Sequence, residues 1–227
     1  MNSEQLKDYR HGHRARLREK FLAGHLADYE KLELLLSYAI PRVDVKPIAR
    51  ELLNRFNCVN GVLTAPISEL KRIPGIAENT AIFIKVMHEI TLMDYKSTLS
   101  QKPVFLDYKA FENYCRLTLA QKDIEEMHVL YLDKQHKLIE DEIHSRGTTD
   151  HAVVYPLEIA RRAVALGAKS VVLMHNHPGE MNSFSSADIR VTHEVIAKLA
   201  ALDIRFFDHL LVSGNIIYSM RNLHFLK

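Results

Sequence analysis

Between residues 28 and 94, apolar side chains recur three and four positions apart. Leu32, Leu35 and Leu36 form one set; Ile48, Leu52 and Phe56 a second; Ile82, Val86, Ile90 and Met93 a third. Such spacing predicts helices that each lay one stripe against a shared core, and hence a small all-helical domain over residues 1–97. After residue 103 the period changes. A helix is expected at roughly 108–119, followed by two runs, Met127 to Asp133 and Lys137 to His144, whose patterns suit adjacent strands. Pro156 opens a helix that stops at Gly167, the expected places for these two residues. Ser170 to Met174 is a short continuous apolar run, typical of a strand covered on both faces. A helix bearing Val191, Val195, Leu199 and Leu202 comes next. Phe206 to Val212 and Ile216 to Ser219 then form a hairpin around Ser213-Gly214-Asn215. The second domain, residues 104–227, is therefore expected to be α/β with a mixed sheet.

Two segments interrupt the pattern. Lys96-Ser-Thr-Leu-Ser-Gln-Lys-Pro103 is polar, aperiodic and ends in proline, which predicts a linker. Glu69-Leu-Lys-Arg-Ile73-Pro74-Gly75-Ile76-Ala77 has the form of a helix-hairpin-helix element. Its Pro-Gly turn brings backbone amides together, an arrangement that cradles phosphate. The same letters also describe a plain tight turn between packed helices, and Ala77 stands where the phosphate-binding pattern wants a second glycine.

Composition narrows the class. With 47% hydrophobic and 26% charged residues in 227, the chain is globular rather than disordered. A net charge of +2 implies no strong overall field. One local cationic run, His11-Gly-His13-Arg14-Ala-Arg16-Leu-Arg18-Glu-Lys20, reads either as a phosphate-contacting stretch or as a solvated helix face. No signal-like or membrane-length apolar run occurs, and Cys58 and Cys115 lack a paired spacing. A cytoplasmic location without membrane contact is expected, with both cysteines acting as small apolar fillers.

The chemistry concentrates in Leu173-Met-His175-Asn-His177-Pro178. Residues i and i+2 of an extended chain face one side, so His175 and His177 can reach one ion. Zinc suits nitrogen ligands, and a third, oxygen ligand leaves a position for water. Asp188, at the start of the next helix, supplies that oxygen, with Ser185 three residues before it. Ser185-Ser-Ala-Asp188 also reads as an ordinary helix-capping box that needs no metal.

Taken together, His-x-His-Pro, a Ser after seven residues and Ser-x-x-Asp match the JAMM signature, whose remaining member is an upstream glutamate. Glu125 and Glu126 stand side by side before the strand that starts near His128; position favours Glu125, with Glu126 as the alternative. The chain as a whole resembles the RadC family of bacterial proteins. The resemblance is carried by Gly12-His-Arg-Ala-Arg-Leu-Arg-Glu, Asp28-Tyr-Glu-Lys-Leu-Glu-Leu-Leu-Leu, Asp44-Val-Lys-Pro-Ile-Ala, Ile73-Pro-Gly-Ile, Arg146-Gly-Thr, His175-Asn-His-Pro, Ser185 to Asp188, and Asp208-His209. It departs from the family at Gly179-Glu180-Met181 and at Pro156-Leu157-Glu158, neither of which is a proposed ligand.

The resemblance implies a cytidine-deaminase-like JAMM/MPN domain behind a small all-α helix-hairpin-helix domain. It also implies a zinc hydrolase of metallopeptidase or isopeptidase type acting on a peptide or protein. In that scheme one zinc per chain sits on His175, His177 and Asp188, Glu125 is the acid/base and Ser185 stabilises the oxyanion. The family's traditional DNA-repair label supplies the alternative, a DNA-associated accessory protein with a non-catalytic metal domain and DNA contact through the N-terminal domain. Substrate choice is expected in loops 145–155 and 178–184. His209 is read as a packed histidine or a partner of the metal ligands, and Glu158 as a favourable charge at a helix N-terminus.

Overall fold

The computed structural model describes residues 3–120, 122–147, 154–178, 183–214 and 216–226, with side chains from Gly12 onward. Most of the two loops expected to choose substrate, 148–153 and 179–182, lies outside the described residues, as does Asn215. The chain divides into two compact units, Met1–Ile90 and Thr91–Lys227.

The first unit holds α1 (Ser3–Leu22), α2 (Asp28–Ala39), α3 (Lys46–Phe56), α4 (Val59–Thr64), α5 (Ile67–Leu70) and the first half of α6 (Glu78–Gln101). Leu32, Leu36, Ile48, Leu52, Val62, Leu70 and Ile84 meet in its core, so the stripes expected on α2 and α3 point inward. The stripe expected on α6 does not. Ile82, Val86, Ile90 and Met93 are 45–70% exposed, and the buried positions of that stretch are Thr80, Ala81, Ile84 and His88. The period is helical but the buried face is a different one: small Ala81 and Ile84 are the residues that join the core.

Part of the cationic run on α1 is spent within the unit. His13 Nε2 lies 2.6 Å from Glu33 Oε1 and Lys20 Nζ donates to Glu30 Oε1 at 2.8 Å, while Arg14 donates to the Val43 carbonyl at 2.8 Å. Cys58 is not merely a filler, because its Sγ accepts from the Gly61 amide and caps α4. At the Pro-Gly turn, Gly75 has φ +90°, and a Cβ built there would stand 2.7 Å from Ile48 Cδ1. The left-handed backbone favours glycine at this position, and a side chain there would also require the end of Ile48 to shift. Residues 96–101, expected as a linker, are the last turns of α6; Leu99 is buried and Lys96 donates to Glu140 at 2.7 Å.

The second unit is an α/β fold. α7 (Tyr108–Leu119) precedes β1 (Glu126–Leu132) and β2 (Leu138–Arg146); α8 (Pro156–Ala165) leads to β3 (Ser170–Asn176), and α9 (Ser186–Ala200) to β4 (Arg205–Ser213) and β5 (Ile216–Ser219). These strands form one mixed sheet in the order β2-β1-β3-β4-β5, with only β3 and β4 parallel. β1 and β3 are buried along their whole length, which is why their sequences lack strict alternation.

Alternation still sorts the side chains between two faces. Leu130, Leu132, Val172 and Met174 pack with Phe111, Tyr114 and Cys115 of α7. Met127, Val129, Val171 and Leu173 pack on the other face with Ile159 and Ala163 of α8 and Val195 and Leu199 of α9. Cys115 is buried and unpaired, and burial pushes its thiol well above the usual range. Among the described residues no helix is long and apolar enough to cross a membrane.

Candidate metal centre

The end of β3 sets the geometry. His175 continues the face of Val171 and Leu173, the side covered by α9, while Asn176 points to the opposite side. β1 lies antiparallel with Met127 opposite His175, so the residue just before β1 emerges beside the imidazoles. The pleat then separates the two candidate acids. Glu125 shares the face of Met127, and Glu126 shares the face of His128 and Leu130.

Glu126 is ion-paired there. Its carboxylate accepts from Arg146 Nε at 3.0 Å, pairs with Lys122 Nζ at 3.1 Å and lies 3.5 Å from His128 Nε2. Burial pushes this carboxyl up, but the bonds and attraction of Lys122 and His128 outweigh it, leaving a net shift below the usual value. The chain of polar groups continues through His128 Nδ1, 2.8 Å from Asp141 Oδ1, to the Tyr114 hydroxyl, which donates to Asp141 Oδ2.

On the other face, ligand atoms of Glu125, His175, His177 and Asp188 all lie within 4.8 Å of one another, and all four residues are buried. His175 Nε2 is 3.1 Å from His177 Nε2; Asp188 Oδ1 is 3.5 Å from the first nitrogen and Asp188 Oδ2 is 3.5 Å from the second. Two nitrogens each ~2.05 Å from one ion at a tetrahedral angle stand roughly 3.3 Å apart. The separations and the mixed nitrogen and oxygen donor set therefore fit a single divalent ion. Burial raises the Asp188 carboxyl, yet the imidazoles of His175 and His177 that face it, with the Ser185 hydroxyl, outweigh this and hold it far below the usual carboxylate range. A carboxylate that stays ionised when buried is what a cation site requires.

The capping alternative for Ser185 and Asp188 is also realised. Ser185 is the N-cap of α9, its Oγ accepting from the Asp188 amide at 3.1 Å, while Asp188 Oδ2 accepts from the Ser185 amide at 2.7 Å and hydroxyl at 2.8 Å. One capping box thus fixes the Asp188 rotamer and leaves Oδ1 directed at His175. Ser185 touches the cluster through Asp188. Beside Glu125 and Asp188 lies a cleft of about 380 Å³ lined also by Val154, Ala187, Arg190, Val191 and Glu194. Glu158 sits in the first turn of α8 and is not one of the four residues that converge among the described residues.

Asn176 and Thr192, given no role by the sequence, and His209, read there as a packed histidine or a partner of the metal ligands, support the site. Asn176, 2% exposed, accepts from the Glu126 amide through Oδ1 at 2.9 Å and donates through Nδ2 to the Ile124 carbonyl at 3.0 Å and the Lys122 carbonyl at 3.4 Å. It therefore grips the backbone on both sides of Glu125, whose own carbonyl accepts from Gly147 N at 2.8 Å. His209 Nε2 lies 2.8 Å from His175 Nδ1, and Thr192 Oγ1 lies 2.7 Å from His209 Nδ1. Burial, followed by repulsion from His175, holds the His209 ring well below the usual histidine range. The neighbouring Asp208 is structural: it accepts the amides of His209 at 2.8 Å and Arg221 at 3.1 Å.

Residues 105–225 match the RadC-like JAB domain family. A UPF0758 protein from Ruegeria pomeroyi is 39% identical over 219 residues, which cover 95% of this chain and 98% of that protein. A domain match across more than half of the chain and a relative aligned along nearly all of it agree with the buried Glu-His-His-Asp cluster, and the chain belongs to the RadC-like JAB domain family.

Proposed function

We propose that the chain is a zinc-dependent hydrolase that cleaves a peptide or isopeptide bond. The observation that carries this reading is the convergence of Glu125, His175, His177 and Asp188 within 4.8 Å in a buried site that adjoins a cleft. His175 Nε2, His177 Nε2 and an oxygen of Asp188 would hold one zinc ion per chain. Zinc, when bound, supplies Lewis acidity that activates water at neutral pH. The Glu125 carboxylate takes the proton of the attacking water and delivers it to the leaving nitrogen, acting first as base and then as acid. Glu126, held by Lys122, Arg146 and His128, is not available for that role. Ser185 is assigned to the oxyanion: its hydroxyl proton, directed at Asp188 Oδ2 in this structure, turns to the carbonyl oxygen as water adds. The free thiols of Cys58 and Cys115 suit a reducing compartment such as the cytoplasm.

We read the α5-turn-α6 segment as a helix-hairpin-helix element of the N-terminal domain. DNA contact through it is the weaker reading, because Ile48 accounts for Gly75 and internal partners account for His13, Arg14 and Lys20. The hydrolase reading is tested by incubating the zinc-loaded protein with an unbiased peptide library and identifying cleaved bonds by mass spectrometry. Cleavage by wild type that is absent in Glu125→Gln supports it. Equal cleavage by both proteins, or none by either across peptide and isopeptide-linked substrates, contradicts it.

A further inference from the structure

Thr192 and His209 are both fully buried and together close a loop of hydrogen bonds on the candidate metal centre. Thr192 stands one turn beyond Asp188 on α9, and its Oγ1 lies 2.6 Å from the Asp188 carbonyl oxygen. The same oxygen is 2.7 Å from His209 Nδ1, and His209 Nε2 is 2.8 Å from His175 Nδ1.

With both rings neutral, counting protons around this loop leaves one solution. A carbonyl oxygen only accepts, so the single hydroxyl proton of Thr192 is spent on Asp188. The short contact between Thr192 Oγ1 and His209 Nδ1 still needs a proton, which must come from the ring. His209 then has Nδ1–H; a second ring proton would place a charge on a fully buried ring, so its Nε2 carries a lone pair. The proton between the two rings therefore belongs to His175 Nδ1. That leaves His175 Nε2 bare, and Nε2 is the atom that faces His177 and Asp188.

We propose that Thr192 and His209 are positioning residues that lock His175 in its Nδ1–H tautomer, so that a fixed Nε2 lone pair is presented to the metal ion. This inference rests on the metal reading of the cluster. The loop begins on the backbone of one ligand residue, Asp188, and ends on the ring of another, His175, so the helix and the strand that supply ligands are set in register by side chains that touch no metal. A ligand ring held this way loses no orientation when the ion enters, and removal of such a partner weakens binding by about 10–100-fold.

The test uses the full chain labelled with ¹⁵N-histidine and free of metal. A long-range ¹H–¹⁵N correlation at mildly alkaline pH, with His175 identified by the signals missing in His175→Gln, reads the tautomer directly. Protonated Nδ1 and bare Nε2 on His175 are expected; a protonated Nε2 overturns the proposal without any relay variant being made. Zinc affinity is then measured by chelator competition in wild type, Thr192→Val and Thr192→Ser. Thr192→Val is near-isosteric but accepts no hydrogen bond, and should bind zinc about 10–100-fold more weakly, with Thr192→Ser within about threefold of wild type. Equal affinity in wild type and Thr192→Val overturns the relay alone. A wild-type protein with the expected tautomer and no zinc affinity overturns the metal reading, and with it the purpose assigned to the relay.

Discussion

Asn176→Ala is the substitution whose consequence follows most directly from the geometry. The wild-type amide satisfies the buried Glu126 amide at 2.9 Å and the Ile124 carbonyl at 3.0 Å, the backbone groups on either side of Glu125. Alanine removes these two bonds and the longer one to the Lys122 carbonyl at 3.4 Å, and leaves all three backbone groups without this partner. At roughly 1–3 kcal/mol for each unsatisfied buried group, with some relief from entering water, the loss should be about 2–4 kcal/mol. The damage is local, so the sharpest assay is hydrogen exchange followed residue by residue. Exchange of the Glu126 amide should accelerate by about 30-fold or more, since ~1.4 kcal/mol is a factor of ten. Amides in the middle of β3 should change only as far as global stability falls. Zinc affinity should stay within a few-fold of wild type, because His175 and His177 keep their own positions, while hydrolysis falls with the loosening of Glu125. An unchanged Glu126 exchange rate would refute the claim that Asn176 holds this backbone.

Glu125→Gln should leave zinc stoichiometry unchanged and lower turnover by about 10²–10⁴-fold, the range for loss of a general base; peptide cleavage and metal content measured on one preparation check both halves. Glu126→Gln should act on acid stability instead. The Glu126 carboxyl is held below its ordinary value of 4.5, so its contribution is present above about pH 4.5 and is lost as pH falls through the lower folded-state value. Unfolding midpoints followed from neutral pH into that window should therefore fall less steeply in Glu126→Gln than in wild type. Gly75→Ala should destabilise the N-terminal unit by about 1–3 kcal/mol, through the left-handed backbone and the approach to Ile48 Cδ1 at 2.7 Å. Urea unfolding followed by circular dichroism, with exchange in α3 as a local reporter, measures it.

Elements whose period and punctuation agree were legible in the sequence. α7 and β5 fall where the pattern put them, and Pro156 and Gly167 bracket α8 because one fits a first helical turn and the other takes φ +65°. The third helical stripe failed for a physical reason: helical period gives a face but not which face is covered, and small Ala81 beside Ile84 buries better than the Ile82, Val86, Ile90, Met93 side. The expected linker failed because polar residues 96–101 continue a helix already begun, anchored by Leu99 and by Lys96 on Glu140.

At the site, spacing marked His175, His177 and Asp188 as candidates, and these converge with Glu125; strand alternation favours Glu125 over Glu126 once the start of β1 is known. Asn176 was hidden because it reads as a chance letter between two histidines. Its position on the other face from both rings, at the buried end of β3, was the available signal that its polar group needed a partner. Thr192 gave no local signal, since its partner His209 is 17 residues away.

The most direct test of the central claim is metal content and zinc titration of the full chain, wild type beside His177→Ala and Asp188→Ala. One zinc per wild-type chain, lost in both variants while their circular dichroism is retained, is the predicted result. Zinc retained at full stoichiometry and affinity in both variants, or a folded wild-type chain that binds none, would contradict it.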